Sequence, residues 1–404
     1  MRIRRRRICF IQISDQLIPD FNALFSGEVK LDTEPAAELL CPIRSERLKV
    51  SGRELALLAE LPADAWVDAG DLIERGSIDE EALASLVQRH IVLSDADHDI
   101  ASKAILEAEG RFERVGWYDL TAMYHAMTRW AGMADDVATR EHTPEAHRQR
   151  LGKIADRHGD IPPHFPRRAD ALSTHALELQ PFDSPLATIL KSRRTTRVFD
   201  ADAVLSQADL SHMLYGCFGA QGIRELAPGA TAVKRTSASG GGLTPIDPYP
   251  VILRVEGLKS GVYHYDMSRH ALELLREVDE QVLREQFTAF TAGQDYFAQA
   301  HVMIVHVGRF NRHHWKYRRH MKAYKALLMD SAHLSQTFYL LATERGLGAY
   351  YTAAINDAQL SEYLGLDPIE AAPFGVSGLG VKGPDKDAPL HFNPEPFTPN
   401  FQKG

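Results

Sequence analysis

The sequence predicts an α+β chain in two folded parts, and three observations carry that expectation. Residues 1–48 alternate apolar and polar positions in short pieces, the period of half-buried strands. From residue 51 the pattern changes to capped helical segments. Beyond a Pro-, His-, Arg- and Asp-rich stretch at 155–185, a hairpin, a buried strand and a long helix follow one another. The expected boundaries are an N-terminal domain at 1–150, a linker or arm at 151–183, and a second domain at 184–404.

The start, with arginine at positions 2 and 4–7, reads as a basic tail running into a strand around Ile8–Ile13. Gln12 and Ser14 break its apolar stretch too soon for a secretory signal. Ser51 with Glu54 three residues on is a capping box opening a helix. A second helix runs over 79–87 and a short extended piece over Ile91–Leu93. Helix, spacer, helix, strand is a winged-helix-like arrangement. Asp79, Glu80 and Glu81 at the second helix start would repel a phosphate backbone.

Composition narrows the function classes. The chain has 404 residues, 25% charged and 44% hydrophobic, and a formal net charge of −8. That describes a soluble globular protein and disfavours a general nucleic-acid binder. No apolar run reaches membrane-spanning length. Cys9, Cys41 and Cys217 are too few and too dispersed for a disulfide framework, which suits reduced thiols and a cytoplasmic protein. No His-Glu-x-x-His pattern occurs, and no metal is expected.

In the second part, 261–266 and 271–275 alternate around a four-residue polar turn and predict a hairpin. The run at 301–307 is a fully buried strand by its near-continuous apolar character. Tyr324–Glu344 is a helix apolar on more than one face, which calls for burial on both sides, and Gly346 stops it.

Two motifs suggest chemistry. Arg193, Arg194 and Arg197 place three guanidiniums within five positions, able to fork onto phosphate oxygens. Arg235, Ser237, Ala238, Ser239 and Gly240–Gly242 form a hydroxyl- and glycine-rich turn whose N–H groups can approach an anion or a flat ring. No Gly-x-Gly-x-x-Gly follows a strand and opens a helix, so a Rossmann-bound nicotinamide is not supported.

Read in this order, Arg-Arg-Thr-Thr-Arg-Val-Phe (193–199) and Arg-Thr-Ser-Ala-Ser-Gly-Gly (235–241), with Pro245 and Tyr249 beyond, resemble the nitroreductase superfamily, most closely its SagB-type dehydrogenases. Thr195 stands where that family has Ser, and Ala238 where it has Pro. The resemblance implies a central mixed sheet flanked by helices in an intertwined homodimer that binds FMN. It implies phosphate and ribityl contacts from Arg193, Arg194, Thr195 and Arg197, and a contribution across the dimer interface from Ser237, Ala238, Ser239 and Gly240. Ala353 and Ala354 would lie against the flavin ring, and Lys382, with Lys386 second, would reach the phosphate. Lys316 would be the catalytic base, partly desolvated near an aromatic wall, with Tyr317 orienting it. The Tyr124–Trp130 segment resembles the family's bridge between its two parts, His125 being equally readable as core packing.

The activity so implied is dehydrogenation of a ribosomally made precursor peptide, azoline to azole, with hydride passing to flavin N5. The N-terminal domain would clamp the peptide, and a cyclodehydratase or other maturation enzymes would be partners. Two alternatives stay open: an NAD(P)H-dependent nitro- or quinone reductase, and a non-catalytic peptide-recognition subunit.

Overall fold

The protein is described as a computed structural model over residues 1–20, 23, 25–27, 29–134, 144–384 and 399. It divides into two compact units, Met1–Arg129 with Phe310–Tyr324, and Trp130–Arg309 with Lys325–Gly404.

In the first unit, β1 (Arg2–Arg5) lies between β5 (Val67–Asp68) and β6 (Val92–Ser94), antiparallel to both. A second antiparallel sheet joins β2 (Phe10–Pro19), β3 (Leu31–Cys41) and β4 (Glu46–Val50) in that order. The capping box forms as expected. Ser51 Oγ accepts from Glu54 N at 3.3 Å, and the Glu54 carboxylate accepts from Ser51 N at 2.7 Å, opening α1 (Gly52–Glu60). Between it and α3 (Glu80–Gln88) lies α2 (Ala69–Glu74), a short helix that the spacer did not betray. Leu57, Leu58, Leu83, Leu86, Ile91 and Val92 pack with Ile3 and Leu39 as this unit's core.

The arginine run is no solvated tail. It forms β1 itself, and carboxylates neutralise it. Arg6 is fully buried, bonded to Glu46 at 2.8 Å and to the His90 carbonyl at 2.6 Å, while Arg4 pairs with Glu109 and Arg7 with Glu113. A buried guanidinium requires such partners.

Two further helices, α4 (Ile100–Val115) and α5 (Asp119–Met127), complete the N-terminal part. Phe310–Tyr324, including α10 (Phe310–Lys316), also groups here, although the sequence boundaries set it in the second domain. Aromatic packing explains it. Phe310 and His314 lie 4.3 and 5.0 Å from the Trp117 ring, and His125 Nδ1 is 3.0 Å from the Tyr324 hydroxyl. Burial pushes the His314 imidazole down to about 3.

The second unit holds a six-stranded sheet in the order β11 (Ala271–Glu277), β10 (Gly261–Asp266), β9 (Ile246–Ile252), β12 (Val302–Arg309), β14 (Ala371–Gly380), β13 (Gly348–Thr352). Every strand pairing described in it is antiparallel rather than mixed: β9–β10, β10–β11 and β13–β14 are consecutive in the chain, whereas β9–β12 and β12–β14 become neighbours through crossovers. A small separate hairpin joins β7 (Gly222–Ala227) to β8 (Ala230–Lys234).

Both faces of the sheet are covered, which is why β12 reads as a continuous apolar run. Met303, Val305 and Val307 pack with Leu283, Phe287 and Phe290 of α9 (Glu280–Phe290) and with Leu360 of α12 (Asp357–Leu364). His306 turns the other way, 5.3 Å from Phe218 of α8 (Gln207–Phe218) and 3.0 Å from Ser331 Oγ of α11 (Ala323–Glu344). Its Nε2 meets Ser377 Oγ at 3.0 Å, and burial pushes the imidazole down to about 3.

Glycines in β14 serve as sockets for the rings of β13. A Cβ on Gly378 would occupy the space of the Tyr350 ring, and one on Gly375 would strike the Tyr351 hydroxyl. Tyr350 is fully buried and stacks on Phe297 at 3.8 Å.

Helix α11 buries Leu327, Leu334 and Phe338. Lys325, Leu328, Met329, Ala332, His333 and Gln336 form a continuous exposed stripe, with Met329 60% exposed. The burial on both sides that the sequence called for is therefore not met within one chain. The expected extended linker is also partly helical, since α6 (Pro144–His158) reaches into it, supported by a Glu145–Arg148 pair. Residues 159–184 carry no regular structure up to α7 (Pro185–Ser192). Lys386 and the tail beyond Pro389 lie outside the described residues apart from Pro399.

Candidate functional site

Helix α7 ends at Arg193, whose ψ of 129° turns the chain extended. The next residues dock on the edge strand β13: Thr196 N donates to Ala349 O at 2.8 Å, and Ala349 N to Thr196 Oγ1 at 3.3 Å. This anchoring brings the flanking side chains to aromatic partners. The Arg193 guanidinium lies 5.2 Å from the Tyr339 ring centroid, Thr195 Oγ1 is 3.1 Å from the Tyr339 hydroxyl, and Arg197 lies 5.9 Å from the Tyr296 ring. Stacking on a ring fixes the plane of an arginine's guanidinium. Arg194 is exposed.

Ala353 and Ala354 join this cluster through Gln294. The buried Gln294 amide donates to Ala354 O at 3.0 Å and accepts from the Tyr296 hydroxyl at 3.2 Å. Lys382 joins it through an antiparallel bridge to Phe199, with Gly383 N bonded to Val198 O at 3.0 Å. Arg193, Thr195, Arg197, Ala353, Ala354 and Lys382 thus gather around β13 and its aromatic neighbours.

The glycine-rich turn lies elsewhere. Ser237 Oγ is 2.6 Å from Thr337 Oγ1, the Ala238 carbonyl is 3.1 Å from His333 Nδ1, and Ser239 Oγ donates to the buried Asp330 carboxylate at 2.6 Å. Gly240 N donates to the same carboxylate at 3.0 Å, and Thr244 N to Ser239 Oγ at 3.0 Å. Asp330 and Tyr339 are nine positions apart, about two and a half turns of helix, so the turn and the arginine segment meet opposite faces of α11. One chain does not bring them together.

The Ser239 hydroxyl and the Gly240 and Gly242 N–H groups of that turn are engaged within the chain, and the neighbouring carboxylate disfavours an anion. What remains is small: Ala238 and a glycine backbone suited to a flat, uncharged surface. Arg235 is committed too, bonded to Ile246 O at 2.9 Å and to Met267 Sδ at 3.2 Å, and burial lowers its basicity.

Lys316 and Tyr317 stand in the first unit, at the end of α10. Lys316 is exposed, with its ammonium 5.7 Å from the Tyr317 ring, so the desolvation expected of a base is not found within the chain. Sequence reasoning missed Tyr339, Asp330 and Gln294. Each sits in a segment that reads as ordinary helix or loop, and only its partners from distant segments reveal it.

Residues 190–381 match the model of the nitroreductase family. A protein of Methanocaldococcus jannaschii named as a nitroreductase is 28% identical over 192 residues, 47% of this chain and 90% of the relative. The trifolitoxin-processing protein TfxB of Rhizobium leguminosarum bv. trifolii is 26% identical over 142 residues, 35% of this chain and only 38% of that protein. Among solved structures, the E. coli microcin synthetase McbBCD complex with truncated pro-MccB17 bound is 20% identical with a TM-score of 0.47, covering 67% of this chain and 94% of that one. The antiparallel sheet between two helical layers and the arginine segment docked on its edge strand both fall inside the matched span, so residues 190–381 are the part of the chain that is similar to the nitroreductase family.

Proposed function

We propose that the protein is an FMN-dependent dehydrogenase acting on a ribosomally made precursor peptide, converting an azoline ring to an azole. The observation that carries the cofactor is the set of Arg193, Thr195 and Arg197 held at β13 on two tyrosine rings. The residue types fit a phosphate monoester: the Arg193 and Arg197 guanidiniums and the Thr195 hydroxyl are each set against a tyrosine, and Lys382 is bridged to Phe199 of the same segment. FMN, when bound, supplies the two-electron acceptor for the ring's hydride.

The rest of the work falls to the chain. Ala353 and Ala354 offer small side chains beside the phosphate cluster, and Ala238 to Gly240 offer a second flat surface. Because these two surfaces meet opposite faces of α11, a complete site takes the arginine half from one subunit and the glycine half from another. The exposed Leu328, Met329 and Ala332 stripe supports a homodimer through this helix. Lys316 Nζ would take the proton lost from ring carbon, with Tyr317 orienting it. The likeness to a trifolitoxin-processing protein supports the peptide substrate, and the first unit would grip it alongside cyclising partner enzymes.

The test is the visible spectrum of the purified protein, then turnover of an azoline-containing peptide. Bound FMN and azole formation are expected. A yellow protein that oxidises NADPH with a quinone but leaves the peptide untouched would favour a reductase, and a colourless one that still binds peptide would favour a recognition subunit. Lys316→Ala should keep flavin and lose turnover, and unchanged turnover removes Lys316 from the mechanism.

A further inference from the structure

The Tyr339 hydroxyl lies where α11, β13 and the arginine segment meet. It accepts from Tyr351 N at 2.8 Å and lies 3.1 Å from Thr195 Oγ1, while the Arg193 guanidinium rests over its ring at 5.2 Å. A backbone N–H can only donate, so one lone pair of the phenol oxygen is taken. The phenol has a single proton, and Thr195 Oγ1 is the acceptor in reach of it. With that proton directed to Thr195, the threonine oxygen is the accepting partner and its own hydrogen points away from Tyr339.

We propose that Tyr339 is a positioning residue for recognition of a phosphate group: it fixes the order of donation from Tyr351 N–H through Tyr339 to Thr195, so that Thr195 presents a hydrogen to an anionic oxygen beside the stacked Arg193. The opposite order is worse on two counts. It would leave the Tyr339 proton without Thr195 as its acceptor, and it would turn the threonine lone pairs toward the anion. The ring and the hydroxyl have separable tasks, since stacking holds the guanidinium plane and the hydrogen bond sets the threonine rotor. The proposal rests on the FMN reading for the identity of the phosphate bearer.

The experiment measures dissociation constants of the full chain for FMN and for riboflavin, which has no phosphate. Tyr339→Phe keeps the ring under Arg193 and removes only the hydroxyl. It should weaken FMN about tenfold, the worth of one hydrogen bond to a charged group, and leave riboflavin unchanged. Thr195→Val should do the same, and the double variant should be no worse than either single one, because both break one chain of bonds. Tyr339→Phe with unchanged FMN affinity overturns the proposal, as does an equal loss for FMN and riboflavin, which would mean a general disturbance of the pocket. Failure of the FMN reading looks different: the unsubstituted protein then binds neither flavin, and the proposal falls with it.

Discussion

The arginine segment and the glycine-rich turn are both rich in donors, and both rest on α11, yet they treat those donors oppositely. At 193–197 the guanidiniums of Arg193 and Arg197 lie over the Tyr339 and Tyr296 rings, which orient them by their planes. At 237–240 a buried carboxylate takes the Ser239 hydroxyl and the Gly240 N–H, and Thr337 lies 2.6 Å from Ser237. The difference teaches that a motif's donor count says little until each donor's partner is known. On the function proposed above, the first segment would hold an anion and the second a shape.

That contrast can be broken from either side. The largest effect should come from Arg193→Ala with Arg197→Ala, which removes two charge-assisted contacts and should weaken FMN by about a hundredfold or more. Titration of flavin fluorescence checks it, and riboflavin should bind the variant nearly as before. Asp330→Ala attacks the other side. It strands the Ser239 hydroxyl and the Gly240 N–H, and should cost about 2–3 kcal/mol of stability. Urea unfolding measures this, and a loss of FMN affinity out of proportion to the loss of stability would show the turn acting on the ligand directly.

A smaller effect tests the cores beneath both regions. His306 in the second unit and His314 in the first are each pushed down to about 3 by burial. Unfolding returns them to an ordinary imidazole, so between the two values the unfolded chain binds more protons. Their neutral burial is therefore fully tolerated above the unfolded value and becomes costly as pH falls toward 3. At pH 5 each should cost about 2 kcal/mol relative to neutral pH. Unfolding curves at pH 7 and pH 5 for the chain and for His306→Asn should show the variant losing less on acidification.

Much of the fold was legible in sequence because it is written locally. The capping box at Ser51, the hairpin around 267–270, the buried strand at 302–309 and the helix ending before Gly346 all follow from neighbours in the chain. The candidate site was legible as residue types only. That Arg193 meets Tyr339, or that Asp330 occupies the turn's donors, depends on contacts between segments 90 or more positions apart, and no local pattern encodes them. The arginines at 4–7 show the same limit, since a charge run reads as solvated until Glu46, Glu109 and Glu113 are placed beside it.

The glycine sockets of β14 have a consequence for how this sequence can drift. Any side chain at Gly378 would evict Tyr350 and shift β13, and β13 carries the Ala349 carbonyl that anchors Thr196. A substitution there would leave every residue of the proposed phosphate set in place on paper while moving the ledge they stand on. A loss of flavin binding in such a variant would arise in a strand outside the proposed contact set, and inheritance of the site includes inheritance of two empty spaces.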